Sequence, residues 1–187
     1  MSKWQRGGIP GRKRRTKIEG QFVAYTREMI ESPAYRALSL QGRKILRRLE
    51  LEHCAHGGAE NGRLPCTYDD FEKYGCWRNG ITAGLIEVQA LGFVQVMSIG
   101  KRAYADIPGQ ASTYRLTYLA AHDGPRTDEW KNIESDEAAE ATLKKAREAR
   151  EHFLNTDATS PRRRYKSLRD RNRFRKPAPY KVLKPAP

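Results

Sequence analysis

No apolar run in this sequence approaches the roughly 18 residues that span a bilayer, and its basic N-terminal stretch is followed by no apolar segment of signal-peptide type. The expectation is a soluble, cytoplasmic protein with no membrane partner. Cysteine is scarce: Cys54, Cys66 and Cys76 are odd in number and form no CxxC pair, which argues against a disulfide framework and for a reducing compartment. Apolar material is limited too. Hydrophobic residues make up 38% of 187 positions, enough for one core but not for ordering the whole chain. No GxxxxGK[ST], GxGxxG, HExxH or GxSxG occurs, so no phosphate cradle, zincin helix or nucleophile elbow can be placed.

The remaining chemistry-bearing residues read as structural. His53, Cys54, His56, Cys66 and Cys76 fall within 24 positions but match no paired zinc-ligand spacing, and Cys54 and Cys66 stand where small core residues belong. Asp69 and Asp70 are helix-start charges rather than an acidic metal pair. None of the nine tyrosines has the basic and histidine neighbours that strand transfer would need. The expectation is no enzyme, no cofactor and no metal.

Charge is abundant and unevenly placed. The net charge is +14, yet residues 3–17 carry seven Lys and Arg with no acid, and residues 162–184 carry eleven against Asp170 alone. Residues 18–161 hold eighteen basic and twenty-one acidic residues, a net −3. All the excess positive charge is in the two tails. Gly7, Gly8, Pro10 and Gly11 in the first tail and the terminal KPAPYKVLKPAP predict disordered arms. Such arms suit a polyanion, because phosphate neutralisation releases condensed counterions. Tyr165, Phe174 and Tyr180 add rings that can stack on exposed bases. The plainer reading is a solubilising tail.

Between the tails the pattern predicts ordered elements. Pro33 starts a short helix over 32–37, and Ser39 caps a helix to Cys54 with Leu40, Leu46, Ile45 and Leu49 on one face. GGAENG is a loop and Arg63 to Cys66 a short strand. Thr67 opens a helix with Phe71 and Tyr74 toward the core, Gly75 turns the chain, and Asn79 caps a helix with Ile81, Leu85, Val88 and Leu91 at helical spacing. Strands follow at Phe93–Ile99 and Ser112–Tyr118, with the wing-like loop GKRAYADIPGQA between them. RTDEW begins a helix or docking segment. In the Ala-rich helix from Ser135 to Phe153, Ala139, Leu143, Ala146 and Phe153 form a narrow stripe that packs back on the domain or pairs two subunits into a homodimer.

The series NGRL, TYDDF, YG, an Arg and Asn opening a helix, ALGFVQV and YRLTYL resembles the winged helix-turn-helix domains of bacterial plasmid and phage replication initiators, and small helix-turn-helix proteins of mobile elements. The resemblance covers residues 22–119. It implies an α+β winged helix with an extra C-terminal helix and basic tails: an arm over 1–20, a DNA-binding domain over 21–120, a linker and helix over 121–157, and a tail over 158–187. It leaves replication, transcription and excision open, and no second initiator domain is recognisable.

By that analogy double-stranded DNA is the partner, read by Trp77, Arg78, Asn79, Thr82 and Ala83 at the start of the second helix. Arg78 would pair with guanine, Asn79 with adenine, and Thr82 or Ala83 would meet a thymine methyl. Asn79 as a plain cap and Trp77 as a core or staple residue are the alternatives. Lys101, Arg102 and Tyr104 in the wing would hold phosphate or enter the minor groove, or form only a solvated hairpin tip. Arg12, Lys13, Arg14, Arg15, Arg162, Arg163, Arg164, Arg171, Arg173 and Arg175 in the tails would contact phosphates. RNA binding or protein interaction through the basic arms is the alternative function.

Overall fold

The helix starts are set by hydroxyl side chains. Thr26, Ser32 and Ser39 each sit in extended backbone and accept a hydrogen bond from the amide three residues on, opening α1 (Arg27–Glu31), α2 (Pro33–Arg36) and α3 (Leu40–Ala55). Thr67 does the same for α4 (Tyr68–Lys73) as half of a capping box whose other half is Asp70. The Thr67 hydroxyl and amide both donate to the Asp70 carboxylate and hold it below its ordinary range. The computed structural model describes residues 19–101, 103, 106 and 108–156. Among these the fold is α+β, completed by β1 (Leu64–Cys66), α5 (Ile81–Ala90), β2 (Val94–Ser98), β3 (Ser112–Leu116) and α6 (Asp136–Thr156).

The three strands form one antiparallel sheet in the order β1-β3-β2. Leu64, Tyr114 and Val96 lie level across it, and the register slips between Val96 and Ser98. Pro65 is tolerated because β1 is an edge strand. The inner face, with Leu64, Cys66, Val94, Tyr114 and Leu116 all buried, closes on Phe71 of α4 and Ile45, Leu46 and Leu49 of α3. Phe71 meets Tyr114 edge-on with ring centroids 6.0 Å apart.

α3 and α5 approach closely because Gly84 lies at their contact, where a Cβ would stand 2.5 Å from the end of Ile45. Gly92 ends the α5 turn at φ +78°, and a Cβ there would meet the backbone of Glu129 and Trp130 at 2.6–2.8 Å. That contact ties the chain after β3 to the domain. Trp130 sits in a 3₁₀ turn (Glu129–Asn132) and, with Ala139 and Leu143 of α6, is buried in the same core as the sheet.

Three expectations are corrected. Leu40 is 72% exposed rather than on the apolar face, since nine residues from Leu49 is two and a half helical turns and places it opposite. Tyr74 is exposed because α4 stops at Lys73 and Cys76, after the Gly75 turn, takes the core position instead. Asn79 is not a helix cap: Arg78–Gly80 form a 3₁₀ turn, and α5 begins at Ile81 without a side-chain cap. Gln41 causes this by gripping Trp77, donating to its carbonyl at 3.1 Å and accepting from its amide at 3.2 Å.

Candidate nucleic-acid interface

The turn between α4 and α5 is largely exposed. Gly75, at φ +92°, reverses the chain after α4, and Lys44 of α3 donates to the Gly75 carbonyl at 2.8 Å. With its backbone held by Gln41, Trp77 leaves its indole outside; at 69% exposure it is neither a core nor a staple residue. Arg78 and Asn79 follow, both exposed.

Arg78 is held by acids from the preceding helix. Its Nη1 lies 2.6 Å from Asp69 Oδ1 and 2.5 Å from Glu72 Oε2, and these hydrogen bonds raise the guanidinium pKa further. Both contacts fall on one nitrogen. The sequence pattern predicts Asp69 only as a helix-start charge and assigns Glu72 no role. The signal for both was their place on one short helix, across the Gly75 turn from Arg78.

Farther along α5 the surroundings become apolar. Thr82 is half-buried, its hydroxyl 2.9 Å from the Tyr68 hydroxyl, while Ala83 is exposed. α5 carries no Lys or Arg, and its one acid, Glu87, accepts a hydrogen bond from the Ser39 amide. α6 lies along its flank. Between the two helices runs a groove of about 790 Å³ walled by Ile86 and Ala90 on one side and Ala146, Ala149 and Phe153 on the other. The α6 stripe is therefore divided: Ala139 and Leu143 are buried against the domain, and Phe153 is 59% exposed.

In the loop between β2 and β3, Lys101 is exposed and exchanges two backbone hydrogen bonds of 2.8 Å with Gln110, continuing the hairpin past the strands. Gly100 permits this close pairing, since a Cβ there would stand 2.5 Å from the Gln110 carbonyl oxygen. Arg102 and Tyr104 lie outside the described residues, as do Arg12, Lys13, Arg14, Arg15, Arg162, Arg163, Arg164, Arg171, Arg173 and Arg175.

The cysteines are structural where they are buried. Burial pushes the Cys66 thiol up to about 12 and raises that of Cys76, while Cys54 is only half-buried. Among the described residues no three His, Cys, Asp or Glu converge on a metal-sized site, and no helix is long and apolar enough to cross a membrane. In comparisons with known proteins, no family model, no curated protein and no solved structure matches the chain.

Proposed function

We propose that this chain is a duplex-DNA-binding protein of winged-helix type, in which the turn between α4 and α5 reads base edges and the basic arms hold phosphates. The observation that carries the reading is the exposed Trp77, Arg78 and Asn79 at the head of α5, with Arg78 pinned through Nη1 alone. Nη2 and Nε remain to meet the N7 and O6 acceptors of guanine, the commonest specific contact in the major groove. Two carboxylates beside the guanidinium disfavour a phosphate there, which suits a base reader. With α6 along the flank of α5, the helix presents its N-terminal end, the end through which helix-turn-helix proteins contact bases. The hairpin bearing Lys101 supplies a wing, and cytoplasmic nucleoid association follows from the same reading.

The test is selection from random duplexes beside a structured-RNA competitor. Enrichment of a duplex motif is expected. Arg78→Ala should then weaken binding to that motif about 5- to 150-fold, with a smaller loss on random duplex. Equal loss on both would make Arg78 a phosphate contact.

A second reading, an RNA-binding or protein-interaction module acting through its arms, is favoured by the cation-free α5 and the neighbouring α6. Preferential retention of RNA in the same selection would establish it.

A further inference from the structure

The outer face of α3 combines cations with half-buried rings. Arg43 lies over Tyr35, with its guanidinium carbon 5.4 Å from the ring centroid, and Arg47 lies over Tyr25 at 4.7 Å. Those two rings pack edge-on at 5.8 Å, so the guanidiniums share one aromatic shelf. Arg47 also pairs with Glu50 at 3.1 Å, but that carboxylate is buried and accepts the Tyr25 and Tyr118 hydroxyls as well, so it shows no free acid to solvent. Lys44 completes the cationic row at its margin, next to Tyr74.

Beside this row a cleft of about 150 Å³ opens, lined by Phe22, Leu51 and Tyr74 together with Val23, Cys54, Arg47 and the buried Glu50. Its walls are exposed: Phe22 to 58%, Leu51 to 51% and Tyr74 to 39%. Three large apolar side chains meeting at the surface mark an interaction site. Leu51 is ten residues beyond Gln41, which holds Trp77, so the cleft lies about 15 Å along α3 from the candidate duplex reader. Phe22 is also five residues from Lys17, the last cation of the N-terminal arm.

We propose that this cleft is a second nucleic-acid site, which takes an unpaired base of a single strand between Phe22 and Tyr74. Arg43 and Lys44 carry the adjoining phosphates. A ring at the surface suits any base, since each base has a stackable face, and cations beside rings are the arrangement that binds single strands without sequence preference. A duplex cannot offer this contact, because its bases are stacked inside. The uncompensated cations and the attached polycationic arm favour a polyanion over an apolar protein surface.

The experiment uses the full chain and a fluorescent twelve-nucleotide oligothymidine, with a labelled random duplex alongside. Phe22→Ala with Tyr74→Ala should weaken single-strand binding about 5- to 150-fold, the range for losing one stacked base. Duplex binding should not change, and the melting temperature should hold because both side chains are exposed. Phe22→Tyr should bind as the natural chain does, and Phe22→Leu should lose affinity because it keeps bulk but not the ring. Equal single-strand binding by the double variant overturns the site, as does equal loss on both nucleic acids. Full binding by Phe22→Leu also overturns it and makes the cleft an apolar docking surface for protein. Should the double variant fail to fold, photocrosslinking of a 5-iodouracil oligonucleotide to the natural chain decides: adducts at Phe22 or Tyr74 support the proposal, and adducts only elsewhere overturn it.

Discussion

Glu50 is 3% exposed and ionisable, a combination that a folded chain sustains only when the charge is well partnered. Here the Tyr25 and Tyr118 hydroxyls and the Arg47 guanidinium all donate to it, joining the segment before α1, helix α3 and the end of the sheet. Burial, reinforced by this negative charge, drives both tyrosine pKa values up, so the hydroxyls stay protonated as donors. Glu50→Ala would leave the buried Tyr118 hydroxyl and the half-buried Tyr25 hydroxyl without this acceptor and should cost about 2–4 kcal/mol in urea unfolding. Asn61 is a second such knot, fully buried, accepting from the Leu116 amide at 2.7 Å and donating to the carbonyls of Leu116, Leu119 and Ala120. Nothing in the sequence distinguished either residue, because apart from Arg47 the partners of these side chains are 25 to 68 positions away. His53 is also buried, with Nδ1 lacking a hydrogen-bond partner among the described residues, and burial lowers its pKa. Its proton is therefore taken up more readily by the unfolded chain, and stability should fall as pH drops beneath the ordinary histidine value of about 6.5. Urea midpoints between pH 7.5 and 5 measure this. His53→Gln should flatten the decline, and an unchanged slope would assign it elsewhere.

Among the elements, those set by neighbouring residues were legible in advance. Ser32, Ser39 and Thr67 cap helices within three positions of themselves, and Gly75 and Gly92 turn the chain where left-handed backbone is required. The start of α5 was not legible, because Asn79 satisfies the local pattern of a cap while Gln41, 36 residues earlier than Trp77, holds the chain in a different path. Gly92 shows how one position serves two elements: it permits the turn after α5 and leaves room for the backbone at Trp130. Gly92→Ala should therefore cost more than about 2 kcal/mol, combining a strained φ with a collision against main chain. Chemical denaturation reads this directly, and a cost near zero would mean that the Trp130 segment moves away freely. The same accommodation explains why residues beyond 120 share the core of the sheet rather than standing apart from it.

Across the whole molecule, charge and fold are separated. The segment 18–161 is slightly acidic, and Arg78 within it is already paired with two carboxylates, so on the proposed reading the arms would supply the affinity for a polyanion. If six to ten phosphates are engaged, duplex affinity should fall about 10³-fold or more between 50 and 200 mM salt. Replacing Arg12, Lys13, Arg14 and Arg15 with Gln in the full chain should make that slope shallower by about four, as titration at several salt concentrations would show. An unchanged slope would remove the N-terminal arm from the interface. The sequence by itself determined the charge division, the α+β class and the large apolar side chains that α3, α4, α5 and α6 bury, though not helix α1, because composition, capping and periodicity act within a few residues. Only the tertiary structure decided that Asp69 and Glu72 hold Arg78, that α6 lies along α5, and that Phe22 and Tyr74 wall one cleft on α3. These depend on where elements pack against one another, and contacts between residues distant in the chain leave no local pattern to read.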